Sequence, residues 1–140
     1  MGKRSTSRRL AMQAIYQAEV SSTSIDDSLK NLFAAEKLIP ATEKFAVELA
    51  EQAWAERVES DRAITKLSKD WPIDRLGRVD HSILRLALCE LRAGELPASV
   101  VIDEAVELAK KYSSEEAAKF INGILGGYLP TLPKTPGRQV

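Results

Sequence analysis

The chain has 140 residues, enough for one domain with its own core. A hydrophobic share of 44% and a charged share of 29% are those of an ordinary soluble protein, and no run approaches the ~18 apolar residues of a membrane span. A single cysteine excludes an internal disulfide and any multi-cysteine metal site, while the formal net charge of zero hides an uneven distribution.

Lys3, Arg4, Arg8 and Arg9 all precede the first acid, Glu19. Such an N-terminus points to a polyanionic partner. It lacks the apolar run of a secretory signal, so a cytoplasmic location is expected. The first helix is predicted from Ser7 to Val20. Leu10, Ala14 and Ala18 form one apolar row, and Met12, Tyr16 and Val20 a second. Ser24 and Asp27 then open a helix carrying Leu29, Leu32 and Phe33. Pro40 breaks the chain, and a longer helix from Thr42 turns Phe45, Leu49, Ala53 and Trp54 inward. A further segment, Asp61 to Asp70, buries Ile64 and Leu67 and is stopped by Trp71-Pro72. Asp74 to Gly77 reads as a turn.

The strongest apolar helix begins near Asp80, with Ile83, Leu84, Leu86, Ala87, Leu88 and Leu91, and Gly94 is placed to cap it. Ser99 begins a helix ending near Tyr112. Ser113 and Glu116 read as a capping box for the last helix, in which Gly123 suggests close approach of another backbone. Pro130, Pro133, Pro136 and Gly137 mark a disordered tail over 131–140, beyond a single domain at 1–130. The expected fold is all-α, a bundle of six or seven helices.

Candidate catalysts are scarce, and none is assigned. His81 is the only histidine and reads as a helix N-terminal residue. Cys89 lies among leucines and reads as an inert core thiol. The pairs Asp103-Glu104 and Glu115-Glu116 read as solvated faces or helix starts. No phosphate loop or metal-ligand spacing occurs, so no cofactor or metal is expected. The binding signals are richer. Arg9, Gln13 and Tyr16 stand at i, i+4 and i+7 on one strip, where a cation, an amide and an aromatic ring could hold a phosphate, a base edge and a base face of single-stranded RNA. The plain alternative is two solvated polar residues beside a core-edge tyrosine. Phe120, at the edge of its stripe beside Lys119, is either a stacking platform or the rim of the core. Tyr112 falls nearer the centre of its stripe, and Lys110 and Lys111 add charge at the same turn.

Three segments carry a family resemblance. They are Arg8 with Ala11-Met12-Gln13-Ala14-Ile15-Tyr16, the stretch from Leu76-Gly77-Arg78-Val79-Asp80-His81 to Leu91, and the pair Val101–Tyr112 and Glu116–Leu125. In this order they closely resemble the NusB family of bacterial antitermination factors, while residues 21–70 match only in helical pattern. The resemblance implies the NusB-like helical fold and binding rather than catalysis. It implies ribosomal protein NusE as partner, boxA RNA as ligand, and a place in the RNA polymerase antitermination complex that reads through terminators in ribosomal RNA operons. The implied RNA-binding residues are Arg4, Arg8, Gln13, Tyr16, Tyr112, Lys119 and Phe120, alongside Arg9 from the strip above. The implied contacts to NusE are Asp74 and Asp80. Ser5, Thr6 and Ser7 interrupt the basic arm, and Tyr112 stands where phenylalanine is common. NusB-like domains also occur in RNA cytosine methyltransferases, so a detached module of such an enzyme is one alternative. A helical adaptor without an RNA role is another. The resemblance leaves monomer and homodimer open.

Overall fold

In the computed structural model, which describes residues 3–133, the first helix is longer at both ends than predicted: α1 spans Lys3–Ser21. It is followed by α2 (Ile25–Ala34), α3 (Pro40–Ala55), α4 (Arg57–Leu67), α5 (Arg78–Ala93), α6 (Ala98–Tyr112) and α7 (Glu115–Tyr128). Single 3₁₀ turns occupy Ile73–Arg75 and Leu129–Thr131, and no strand occurs among the described residues.

Local chemistry explains most of the boundaries. Ser24 caps α2, its hydroxyl accepting the Asp27 N–H at 3.1 Å. Pro40 does not merely interrupt the chain. It is the first residue of α3, where its missing N–H would have had no partner in the helix anyway. Gly94 ends α5 in the left-handed region, φ 66°, which costs glycine no Cβ clash, and its N–H reaches the Glu90 carbonyl at 3.1 Å. The joint between α6 and α7 is shifted one residue from the expected capping box. Ser113 is consumed as the C-cap of α6, donating its N–H to Ala109 at 2.8 Å, so Ser114 caps α7 by accepting the Ala117 N–H at 3.0 Å. Two serines therefore suffice to reverse the chain.

The centre is α5, which packs against α1, α3, α4, α6 and α7. Every residue from Ser82 to Leu91 is buried. Its aliphatic side chains supply the main hydrophobic drive, each worth roughly 1.5–3 kcal/mol when fully buried. α1 and α3 also pack along much of their length, and both bury alanines there: Ala11, Ala14 and Ala18 on one, Ala46, Ala50 and Ala53 on the other. These small residues take the inward positions that the pattern gave to Phe45 and Leu49, which sit half-buried beside them.

Two buried arginines tie α1 to α5. Arg8 places Nε 3.0 Å from both carboxylate oxygens of Glu90, and Arg85 places Nη1 2.7 Å from Glu19. The two pairs set α1 and α5 in opposite directions. Gly123 departs from expectation: a Cβ there would meet nothing within 4 Å, so no neighbouring backbone approaches it. Gly127 is the close position, where a Cβ would lie 3.4 Å from Leu67. The tail expected to be disordered over 131–140 begins with structure: Thr131 closes a 3₁₀ turn and Leu132 packs on the core, while 134–140 lie outside the described residues.

Candidate nucleic-acid interface

The strip on α1 is at the surface as its spacing predicts. Arg9 and Gln13 are half-buried, and the Tyr16 side chain is 38% exposed. Arg9 is not a free cation. Its guanidinium forks onto Glu36, beyond the end of α2, at 2.9 Å through each terminal nitrogen, and donates to Gln13 Oε1 at 3.1 Å. The hydrogen bonds to Glu36 raise the Arg9 pKa, and the same contact holds Glu36 below the usual carboxylate range. Glu36 is thus a built-in counter-ion. It stands 27 residues away in sequence, beyond any local pattern.

The other N-terminal arginines turn elsewhere. Arg8, expected to meet phosphate, points into the core with 3% of its side chain exposed. Besides Glu90 it lies 3.9 Å from Glu104. Burial pushes the Glu90 carboxyl above its ordinary range, against the opposing hydrogen bond from Arg8. Arg8 therefore clamps the fold, and its charge is already matched by carboxylates. Arg4 is exposed but leans over α3, with its guanidinium 4.5 Å from the Phe45 ring centre. There it lines a cleft between α3 and α5 with Glu48, Gln52 and Glu95, away from Arg9. Cys89 borders that cleft, 3% exposed, and burial pushes its thiol up to about 12, so it is unreactive.

Arg9 does meet the α6–α7 joint. It shares with Tyr112, Lys110 and Lys111 a cleft of about 750 Å³ between α1 and α6. Tyr112 is half-buried, with the Lys111 ammonium 5.5 Å from its ring centre. On α7, Lys119 is exposed and Phe120 is half-buried against the core, so its ring is at once rim and surface. The structure thus groups Arg9, Gln13 and Tyr112 on one side and leaves Arg4 and Arg8 on others.

Asp74 and Asp80 lie at the far end of α5. Asp74 is exposed in its 3₁₀ turn. Asp80 sits in the first turn of α5 and is half-buried. Its Oδ1 is buried without a partner, and its Oδ2 lies 3.2 Å from where a Cβ on Gly77 would stand. His81 is more than a helix-start residue. Its Nε2 lies 2.6 Å from Asp61, which Arg85 also grips through Nε at 3.0 Å and Nη2 at 2.8 Å. Burial alone would raise Asp61, but hydrogen bonds from His81 and Arg85 outweigh it and hold the carboxyl at about 2. Sequence reading missed this network. The available signal was Arg85 itself, a cation inside an all-apolar run, which must be paired if it is buried. No cluster able to hold a metal occurs among the described residues, nor any helix long and apolar enough to cross a membrane.

The NusB family model matches residues 5–130. The chain is 39% identical over 130 residues to transcription antitermination protein NusB of Myxococcus xanthus, covering 89% of this chain and 93% of the relative. Among solved structures it is similar to T. maritima NusB, with 26% identity, a TM-score of 0.85, and 98% and 96% of the two chains covered. It is also similar to a chain in the crystal structure of antitermination factors NusB and NusE in complex with dsRNA. That match has 28% identity, a TM-score of 0.81, and 92% and 97% coverage.

Proposed function

Because the chain belongs to the NusB family, we propose that it is a transcription antitermination factor that binds RNA together with ribosomal protein NusE in the cytoplasm. Its work is binding, not catalysis. The RNA is a boxA-type single strand, and the process served is read-through in ribosomal RNA operons. The observation that carries the RNA reading is the meeting of Arg9, Lys110, Lys111 and Tyr112 at one cleft, with the exposed Tyr16 two turns along α1 from Arg9. Cations there neutralise phosphates, and aromatic rings accept unstacked bases. The match over 93% of an antitermination protein favours this reading over that of a methyltransferase module.

The direct test is titration of a boxA-like single strand with and without NusE. Binding that NusE tightens supports the proposal, and no binding under either condition leaves a helical adaptor. Asp74→Lys should weaken the NusE effect at an unchanged melting temperature, because this side chain is exposed. Asp80 is a poorer probe, since its buried Oδ1 makes a loss of stability hard to separate from a loss of partner.

Glu36 gives a second expected result. Phosphate must displace it before Arg9 can take up RNA. Exposed ion pairs are worth ~0.2–1 kcal/mol, so Glu36→Gln should tighten RNA binding by up to about fivefold. Arg9→Ala should weaken binding and flatten the salt dependence by about 0.7 in slope. The gain from Glu36→Gln should vanish in the Arg9→Ala background. A gain that persists there, read in the same titrations, would mean Glu36 acts through general charge alone.

A further inference from the structure

We propose that the cleft between α1 and α6 is a pocket for one unpaired nucleobase, whose N–H edge is held by Asp103. The inference rests on the RNA-binding reading above and adds to it where a base goes and what holds it.

The cleft is polarised along α6. Arg9, Lys111 and Tyr112 stand at one end, while Asp103 lines it two turns and more away, with the apolar side chains of Val100 and Leu108 along its wall. Glu104, also in the wall, is already engaged, accepting the Ser5 hydroxyl at 3.0 Å. The cleft is half-open, and its volume of about 750 Å³ has ample room for one base with the sugar and phosphate of the strand outside. Phosphate fits only the cationic end, because carboxylates along the rest of the wall repel it. A base has the complementary make-up: apolar faces for Val100 and Leu108, and edge N–H groups for a carboxylate to accept. The cleft is continuous with the proposed RNA surface through Arg9 and Tyr112, so a strand held by its phosphates at those residues can turn one base inward. Asp103 can only accept hydrogen bonds when ionised, so it suits an N–H on the base edge: an exocyclic amine of cytosine, adenine or guanine, or the ring N–H of guanine or uracil.

The test uses the full chain and a boxA-like single-stranded RNA in which each base in turn is made abasic. One position should cost about tenfold in affinity. Val100 is 41% exposed, so Val100→Trp can fill the cleft without entering the core. It should also cost about tenfold, keep the salt slope, and abolish the abasic penalty at that single position. Asp103→Ala, at an exposed position, should lower affinity severalfold and shrink the abasic penalty at that position alone. Wild-type affinity in Val100→Trp, or an abasic penalty that survives in it, would overturn the pocket while leaving RNA binding intact. Dimerisation that Val100→Trp disrupts, without change in RNA affinity, would assign the cleft to a second copy of the chain. Failure of the unaltered protein to bind any RNA would instead remove the functional reading itself, and the pocket with it.

Discussion

Arg8→Ala is expected to destabilise the fold by about 3–5 kcal/mol, the usual result of removing one partner from a buried ion pair. The fall in melting temperature should be roughly 10–15 °C for a chain of this size. The cause is the carboxylate left behind. Glu90 is 8% exposed, and Arg8 Nε bonds both its oxygens at 3.0 Å. Burial already raises the Glu90 pKa in the folded state, so folding favours its protonated form. A raised carboxyl contributes stability below its unfolded pKa and loses that contribution as pH rises through the folded value. The Arg8→Ala penalty should therefore shrink when melts are repeated near pH 4. Arg8→Met combined with Glu90→Leu should recover much of the loss, because an apolar pair can replace a buried ionic one. If the double variant is as unstable as Arg8→Ala, the ion pair is not the cause. RNA assays on Arg8 variants need this control, since loss of binding could reflect loss of fold.

Asp61 behaves in the opposite sense. Its folded pKa of about 2 lies below its ordinary value of 3.8. That difference corresponds to about 2 kcal/mol of stability, rounded down because the side chain is 28% exposed. A lowered carboxyl contributes fully above its unfolded pKa, and the contribution drains as pH falls from 3.8 through about 2. Asp61→Asn should thus lower stability at pH 7 by about 2 kcal/mol and flatten the acid limb of the stability curve between pH 4 and 2. Arg85→Met should do the same and cost more, since it also releases Glu19. Chemical denaturation across that pH range measures both. An acid limb as steep in Asp61→Asn as in the parent protein would place the sensitivity in other carboxylates.

The helices were legible because their signals are local. The apolar run of α5, the glycine at its end and the serine before α2 each act within a few residues. The direction of Arg8 was harder, although its signal was present. At 100° per residue it falls on the same side of α1 as Ala11, Met12 and Ile15, all buried. Its basic neighbours suggested a surface residue, and the periodicity argued otherwise. The Arg9–Glu36 fork had no such signal, because the packing of α1 against α2 decides it. At the α6–α7 joint, Ser113 and Ser114 offered equivalent hydroxyls, and only the point where α6 stops chooses between them. Gly123 misled for a related reason. Composition shows a missing side chain but not whether space or a neighbour lies beside it, and here it is space.

The buried thiol has a practical side. Cys89 is the chain's one cysteine, closed off at 3% exposure with its ionisation pushed up to about 12. Only the thiolate attacks alkylating reagents or disulfides, so the folded molecule is silent toward them. Cys89 reacts when α5 separates from its neighbours, and the rate of its labelling, relative to that of an unfolded thiol, reports how often that happens. The native sequence thus contains its own clock for opening of the central helix. A fluorophore can meanwhile be attached through a cysteine introduced on the exposed rim of α7 without first removing the natural one.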